Sequence, residues 1–261
     1  MKKIFCMVLL TLLTCITLSG CNAPRQSEMT PTPAIIEMVN ETSSADTEVN
    51  VSPSTPATPE GEDAGEDIFE RIFVVEEIPE EVRSFMKGKT IYDNSPIGYD
   101  ELSYLTVTYW GYDDRIHTGN IIVNNAIADD TIAIFQTLLE HNFPIEKIKL
   151  PDYYDGKDEL SMQDNNTSGF NDRPLEGSNG LSYHQLGLAI DINPLHNPCI
   201  DYRTNKLEPS TAEKYLDRSL TEIGMIFPDD ICVTTFKQYG FTWGGDWYSI
   251  KDYQHFEKTL D

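Results

Sequence analysis

Two short segments carry side chains that could do chemistry together. The first, Ser182-x-His184-x-x-Gly187-x-Ala189-x-Asp191, supplies an imidazole and a carboxylate seven residues apart. The second, Asp252-x-x-His255, adds another imidazole and a second carboxylate three residues before it. A catalytic zinc site takes three protein ligands and leaves a fourth position open for water. It also needs a base beside that water, whose acidity the metal raises. His184, Asp191 and His255 meet the first requirement, and Asp252 the second. The chemistry this pattern points to is metal-assisted hydrolysis around one zinc ion.

Taken singly, each residue has a plainer reading. His184 alone is a hydrogen-bonded loop histidine, and Asp191 alone a turn former ahead of Asn193-Pro194. Asp252 could instead orient a ligand imidazole. The combination is what changes the reading. The spacing differs from the helical His-Glu-x-x-His arrangement, and two imidazoles with a carboxylate suit zinc without excluding other divalent ions. No Ser-His-Asp or Cys-His arrangement competes. His117 and His196 read as surface or structural, and His141 closes a helix, where an imidazolium suits the dipole.

The elements that must position these residues read as α+β. Ile78–Met86 is a short amphipathic helix that Gly88 stops. Leu102–Trp110 is rich in β-branched and aromatic residues, and with 118–124 it predicts a hairpin. Ala128–His141 repeats apolar residues at helical spacing. Strands follow at 143–150, 187–192, 241–243 and 253–256, and helices at 212–220 and 232–239. Between them, 152–180 reads as a long polar loop, of the kind that is either functional or disordered. The expected architecture is a small antiparallel sheet with flanking helices, the site sitting on its loops and edges. Gly187 and Ala189, being small, let backbone and metal approach closely.

Residues 1–20 read as an export signal: Lys2 and Lys3, then an apolar run from Ile4 to Leu18 that is short for a span of about 20. Leu18-Ser19-Gly20-Cys21 reads as a lipoprotein cleavage site, with Cys21 acylated and the protein held on the outer face of a bacterial membrane. Residues 21–67 are rich in Pro, Thr, Ser and Glu, a composition that stays disordered and extended as a tether. The folded part is 68–261, its motif-bearing core about 150–261. The formal charge of −24 argues against nucleic acid, which demands a basic face. Of five cysteines, only Cys199 and Cys232 fall in the folded part. An exported location permits a bridge between them, but their spacing does not decide it.

These motifs, together with Trp243-Gly244-Gly245-Asp246-Trp247 and Phe256 after the last histidine, resemble the VanY-type zinc D-alanyl-D-alanine carboxypeptidases. That family also includes endolysin-like L-alanyl-D-glutamate peptidases. The resemblance implies zinc ligands at His184, Asp191 and His255 and a catalytic carboxylate at Asp252. It also implies an arginine upstream of the first motif, here Arg173, which could hold the scissile carbonyl or fork onto a substrate carboxylate. Its plainer reading is an ion pair with Asp172 or Glu176. Ser182 could donate to substrate or only shape the turn before His184. Trp247 is expected beside the site and Trp243 in the core. The implied protein is a lipid-anchored, monomeric peptidase of peptidoglycan stem peptides. Its first activity would be D-alanyl-D-alanine carboxypeptidase, with L-alanyl-D-glutamate endopeptidase or a non-catalytic zinc-containing wall-binding lipoprotein as alternatives.

Overall fold

A computed structural model describes residues 71–173 and 180–260. The signal, Cys21 and the tether lie outside the described residues. Strand β1 (Phe73–Glu77) leads into helix α1 (Glu80–Met86), then the long hairpin of β2 (Leu102–Trp110) and β3 (Ile116–Asn124). The hairpin is in register from Leu102 opposite Asn124 to Trp110 opposite Ile116, and β1 adds antiparallel to β2. Period-2 alternation turns Leu105, Val107, Ile121 and Val123 to one face. There they meet Ile134, Phe135 and Leu138 of helix α2 (Ala128–Glu140), which recur at helical spacing. Burying each such side chain contributes about 1.5–3 kcal/mol.

Beyond α2 come β4 (Lys147–Ile148), α3 (Asp158–Gln163), β5 (Asn166–Thr167), β6 (Ala189–Asp191), β7 (Cys199–Asp201) and β8 (Lys206–Glu208). Helix α4 (Ile231–Gln238), β9 (Thr242–Trp243), β10 (Ile250–Asp252) and β11 (His255–Glu257) complete the described elements. The α+β class stands, but the expected single sheet is divided. Among the described residues there are three three-stranded antiparallel sheets, ordered β1-β2-β3, β10-β7-β8 and β6-β11-β9, and one parallel pair, β4-β5. Asp230 starts α4, its carboxylate accepting from the Val233 N–H at 3.1 Å. Among the described residues no helix is long and apolar enough to cross a membrane.

Two expectations need correction. The segment expected as a loop over 152–180 holds a helical turn at Pro151–Tyr154, α3 and β5. Polar residues there also serve the fold: Asn166 is fully buried and donates to Lys149 O and Ser161 Oγ. Polarity therefore concealed internal hydrogen bonding. The helix expected over 212–220 shrinks to one turn, Glu213–Leu216. Arg218 is drawn out of helical register to donate to the carbonyls of His196, Tyr215 and Ile226.

Candidate metal centre and active-site cleft

Strand register builds the centre. β11 runs antiparallel to β6 with His255 directly opposite Asp191 and Phe256 opposite Ile190. Facing residues in such a pair share one side of the sheet. Ile190 and Phe256 point into the core and are fully buried. Asp191 and His255 point the other way, into a cleft of about 350 Å³. His255 Nδ1 lies 3.0 Å from Asp191 Oδ1.

His184 arrives from a helical turn, Tyr183–Leu186, whose entry is a capping box. Ser182 Oγ accepts from the His184 N–H, and Gln185 Oε1 accepts from the Ser182 N–H. The Ser182 hydroxyl thus shapes the turn, while the residue also lines the cleft. The turn ends at Gly187, whose φ of +65° suits glycine and where a Cβ would meet the Asn124 backbone nitrogen at 2.7 Å. The glycine is needed against β3, where Asn124 N donates to Gly187 O, and not for approach to a metal. His184 Nε2 ends 3.2 Å from Asp191 Oδ2 and 3.2 Å from His255 Nδ1.

The outer nitrogens decide what the centre can hold. His184 Nδ1 sits 2.7 Å from Gly169 O, which can only accept, so Nδ1 carries the proton. His255 Nε2 sits 3.1 Å from Glu257 Oε2, which places its proton there in the same way. In the neutral rings that a metal would need, the inner nitrogens, His184 Nε2 and His255 Nδ1, turn lone pairs toward each other and toward a carboxylate. In that form three buried acceptors converge on one point and call for positive charge, either a metal ion or, without one, the proton that His255 carries. Their ligand atoms all lie within 4.8 Å of one another, and the donor set suits a divalent metal. The electrostatics agree. Burial alone would raise the Asp191 carboxyl, but His184 and His255 outweigh it and hold it far below the usual range. Burial works against a charged His255, yet Asp191 and Glu257 raise its pKa to about 10 without metal.

Asp252 ends β10 and lines the same cleft. Burial pushes its pKa up to about 6, with His255 pulling the other way and Asp191 adding to the rise. Its Oδ1 is buried without a hydrogen-bond partner among the described residues. Gly244 makes this placement possible, since a Cβ there would meet the Asp252 carbonyl oxygen at 2.6 Å and its Cβ at 2.7 Å. Trp247 lines the cleft with its ring centroid 5.5 Å from that of His255, whereas Trp243 is core and donates Nε1–H to Tyr253 O.

Arg173 reaches the cleft too, but with neither expected ion-pair partner. The Asp172 carboxylate is taken by Ser95 and Gln185, and Glu176 lies outside the described residues. The Arg173 guanidinium pairs instead with Asp158, Nη2 to Oδ2 at 2.5 Å. Sequence reasoning missed Asp158, Glu257 and the Gly169 carbonyl. Glu257 was recoverable, because strand alternation puts 257 on the face of 255. Asp158 sits in the segment read as loop, and no local pattern marks it. Cys199, opposite Asp252 on β7, and Cys232 are both free thiols. His117 is half-buried and paired with Asp113, while His196 is buried between Tyr112 and Tyr215. His141 follows α2, its Nδ1 2.9 Å from Thr137 O. A larger hollow of about 530 Å³ lies against Tyr104, Tyr109 and Tyr153, and none of the metal-ligating residues lines it.

A buried two-histidine, one-carboxylate cluster with a further carboxylate in one cleft is the arrangement of a metallopeptidase. Residues 176–258 match the family model described as D-alanyl-D-alanine carboxypeptidase, so the site-bearing part of the chain is similar to peptidases of that kind. No curated protein and no solved structure matches the chain.

Proposed function

We propose that the protein is a zinc metallopeptidase that removes the terminal D-alanine from peptidoglycan stem peptides, held outside the bacterial cell by acylated Cys21. The observation that carries the reading is the convergence of two buried imidazoles and a buried carboxylate beside Asp252, one of whose oxygens is free. His184, Asp191 and His255 would hold the ion. A zinc ion there supplies Lewis acidity, making a water a better nucleophile and an amide carbonyl a better electrophile. Asp252, with Oδ1 free, accepts the proton of the attacking water and returns it to the leaving amine as the C–N bond breaks and the C–O bond forms. Arg173 donates to the substrate, to the oxygen on which charge builds or to the terminal carboxylate. Trp247 walls the peptide groove. The anchor and tether rest on sequence alone, from the apolar run before Cys21 and the composition of 21–67.

Mass spectrometry of purified stem pentapeptide after incubation with the zinc-loaded protein tests this, with Asp252→Ala alongside. Loss of one alanine with the native protein only is expected. An internal cut would reassign the activity to an endopeptidase. An intact peptide in both samples, despite bound zinc, would put the wall-binding role in its place.

A further inference from the structure

The chemistry proposed for the cleft does not use Asp158. It is the first residue of α3 and lines the same cleft as the metal cluster. Its side chain is 19% exposed and that of Arg173 27%, so the pair is largely shielded from water. The backbone couples Arg173 to the centre as well, since Asn171 N donates to His184 O and Arg173 N donates to Asn171 O. Arg173 Nε is buried and has no partner among the described residues. One edge of the guanidinium is thus fixed by a carboxylate, and a donor on it is left for something else.

Arg173 is the one Lys or Arg among the described residues that line the cleft. Besides the metal centre, a substrate carboxylate entering there finds a single guanidinium, already neutralised at one edge. We infer that Asp158 is a specificity-determining residue: it holds Arg173 in place and limits how strongly that arginine takes the terminal carboxylate of a peptide. This rests on the peptidase reading of the cleft. Charge-assisted pairs of this kind are roughly twice as strong as neutral ones. Cancelling part of the arginine's charge therefore weakens its grip on an anion while leaving its grip on a neutral carbonyl nearly unchanged.

The test compares a peptide ending in D-Ala-D-Ala with the same peptide capped as a carboxamide. Equilibrium binding of each is measured on zinc-loaded protein carrying Asp252→Ala, so that neither is consumed. Asp158→Asn keeps an acceptor for Arg173 and removes the negative charge. It is expected to raise the preference for the carboxylate over the carboxamide about tenfold, the effect of about 1.4 kcal/mol. Arg173→Gln is expected to abolish the preference. An unchanged ratio in Asp158→Asn, or a preference that survives Arg173→Gln, overturns the inference. Cleavage by the native enzyme is scored separately. A shifted ratio without cleavage would sink the peptidase reading and keep Asp158 as the selector of the bound end. Cleavage with an unmoved ratio would do the reverse.

Discussion

Asp191 and His255 are cross-strand partners, directly opposed in the β6–β11 pair and meeting at 3.0 Å between Oδ1 and Nδ1. Sheet register, more than loop geometry, sets two of the three ligands of the candidate metal centre. Asp191→Ala is therefore expected to leave the strand pair in place and remove metal binding. Zinc at a hundred times its dissociation constant should stabilise the native protein by about 2.7 kcal/mol. Thermal unfolding with and without zinc should show that rise in the native protein and none in the variant.

Metal uptake should release a proton. Without metal, burial opposes charging His255, but Asp191 and Glu257 hold its pKa at about 10, above the unfolded value near 6.5. The charged ring thus adds stability that is complete below about 6.5 and is lost as pH rises through about 10. A ligand must be neutral, so binding at pH 7 expels that proton. Calorimetric titrations in two buffers of different ionisation enthalpy should give heats that differ by about one proton per ion. Apparent affinity should weaken as pH falls. Identical heats in both buffers would contradict the protonation assigned to His255.

Glu257→Gln keeps the side chain's length but weakens the acceptor on His255 Nε2. Loss of such an orienting partner typically costs 10–100-fold in metal affinity. Competition against a chromogenic chelator should show that drop, while activity at saturating zinc stays within a few-fold of native. A loss of activity that zinc does not restore would mean that Glu257 acts on substrate.

Gly244→Ala tests how Asp252 is seated. The added methyl would overlap the Asp252 backbone and Cβ, so the carboxylate must move. A displaced base forfeits much of the 10²–10⁴-fold that acid–base catalysis contributes. We expect kcat to fall by at least tenfold with zinc affinity unchanged. Equal loss of both would locate the damage in the fold instead.

The candidate site was legible in the sequence because its ligands fall in two short motifs whose residue types carry few other meanings together. The hairpin and α2 were legible because long periodic runs of apolar residues have one way to bury themselves. Strand β10 and the contents of 152–180 were not. Three residues ending in Asp252 carry too little periodicity to announce a strand, and Asn166 or Asp158 looks like loop composition until its partners are known. Arg173 was visible as a candidate, but its carboxylate lies fifteen residues back at the start of a six-residue helix, a pairing that only tertiary structure makes.

The β6–β11 register also bears on how the protein holds together. Positions 191 and 255 are 64 residues apart in the chain. Tying them through a shared ion would act as a removable staple on the unfolded ensemble, with a loop-closure benefit that grows slowly with the length spanned. A chelator would then loosen the end of the domain as well as silence it. The amide hydrogens of the β6–β11 pair would exchange faster once the staple is withdrawn.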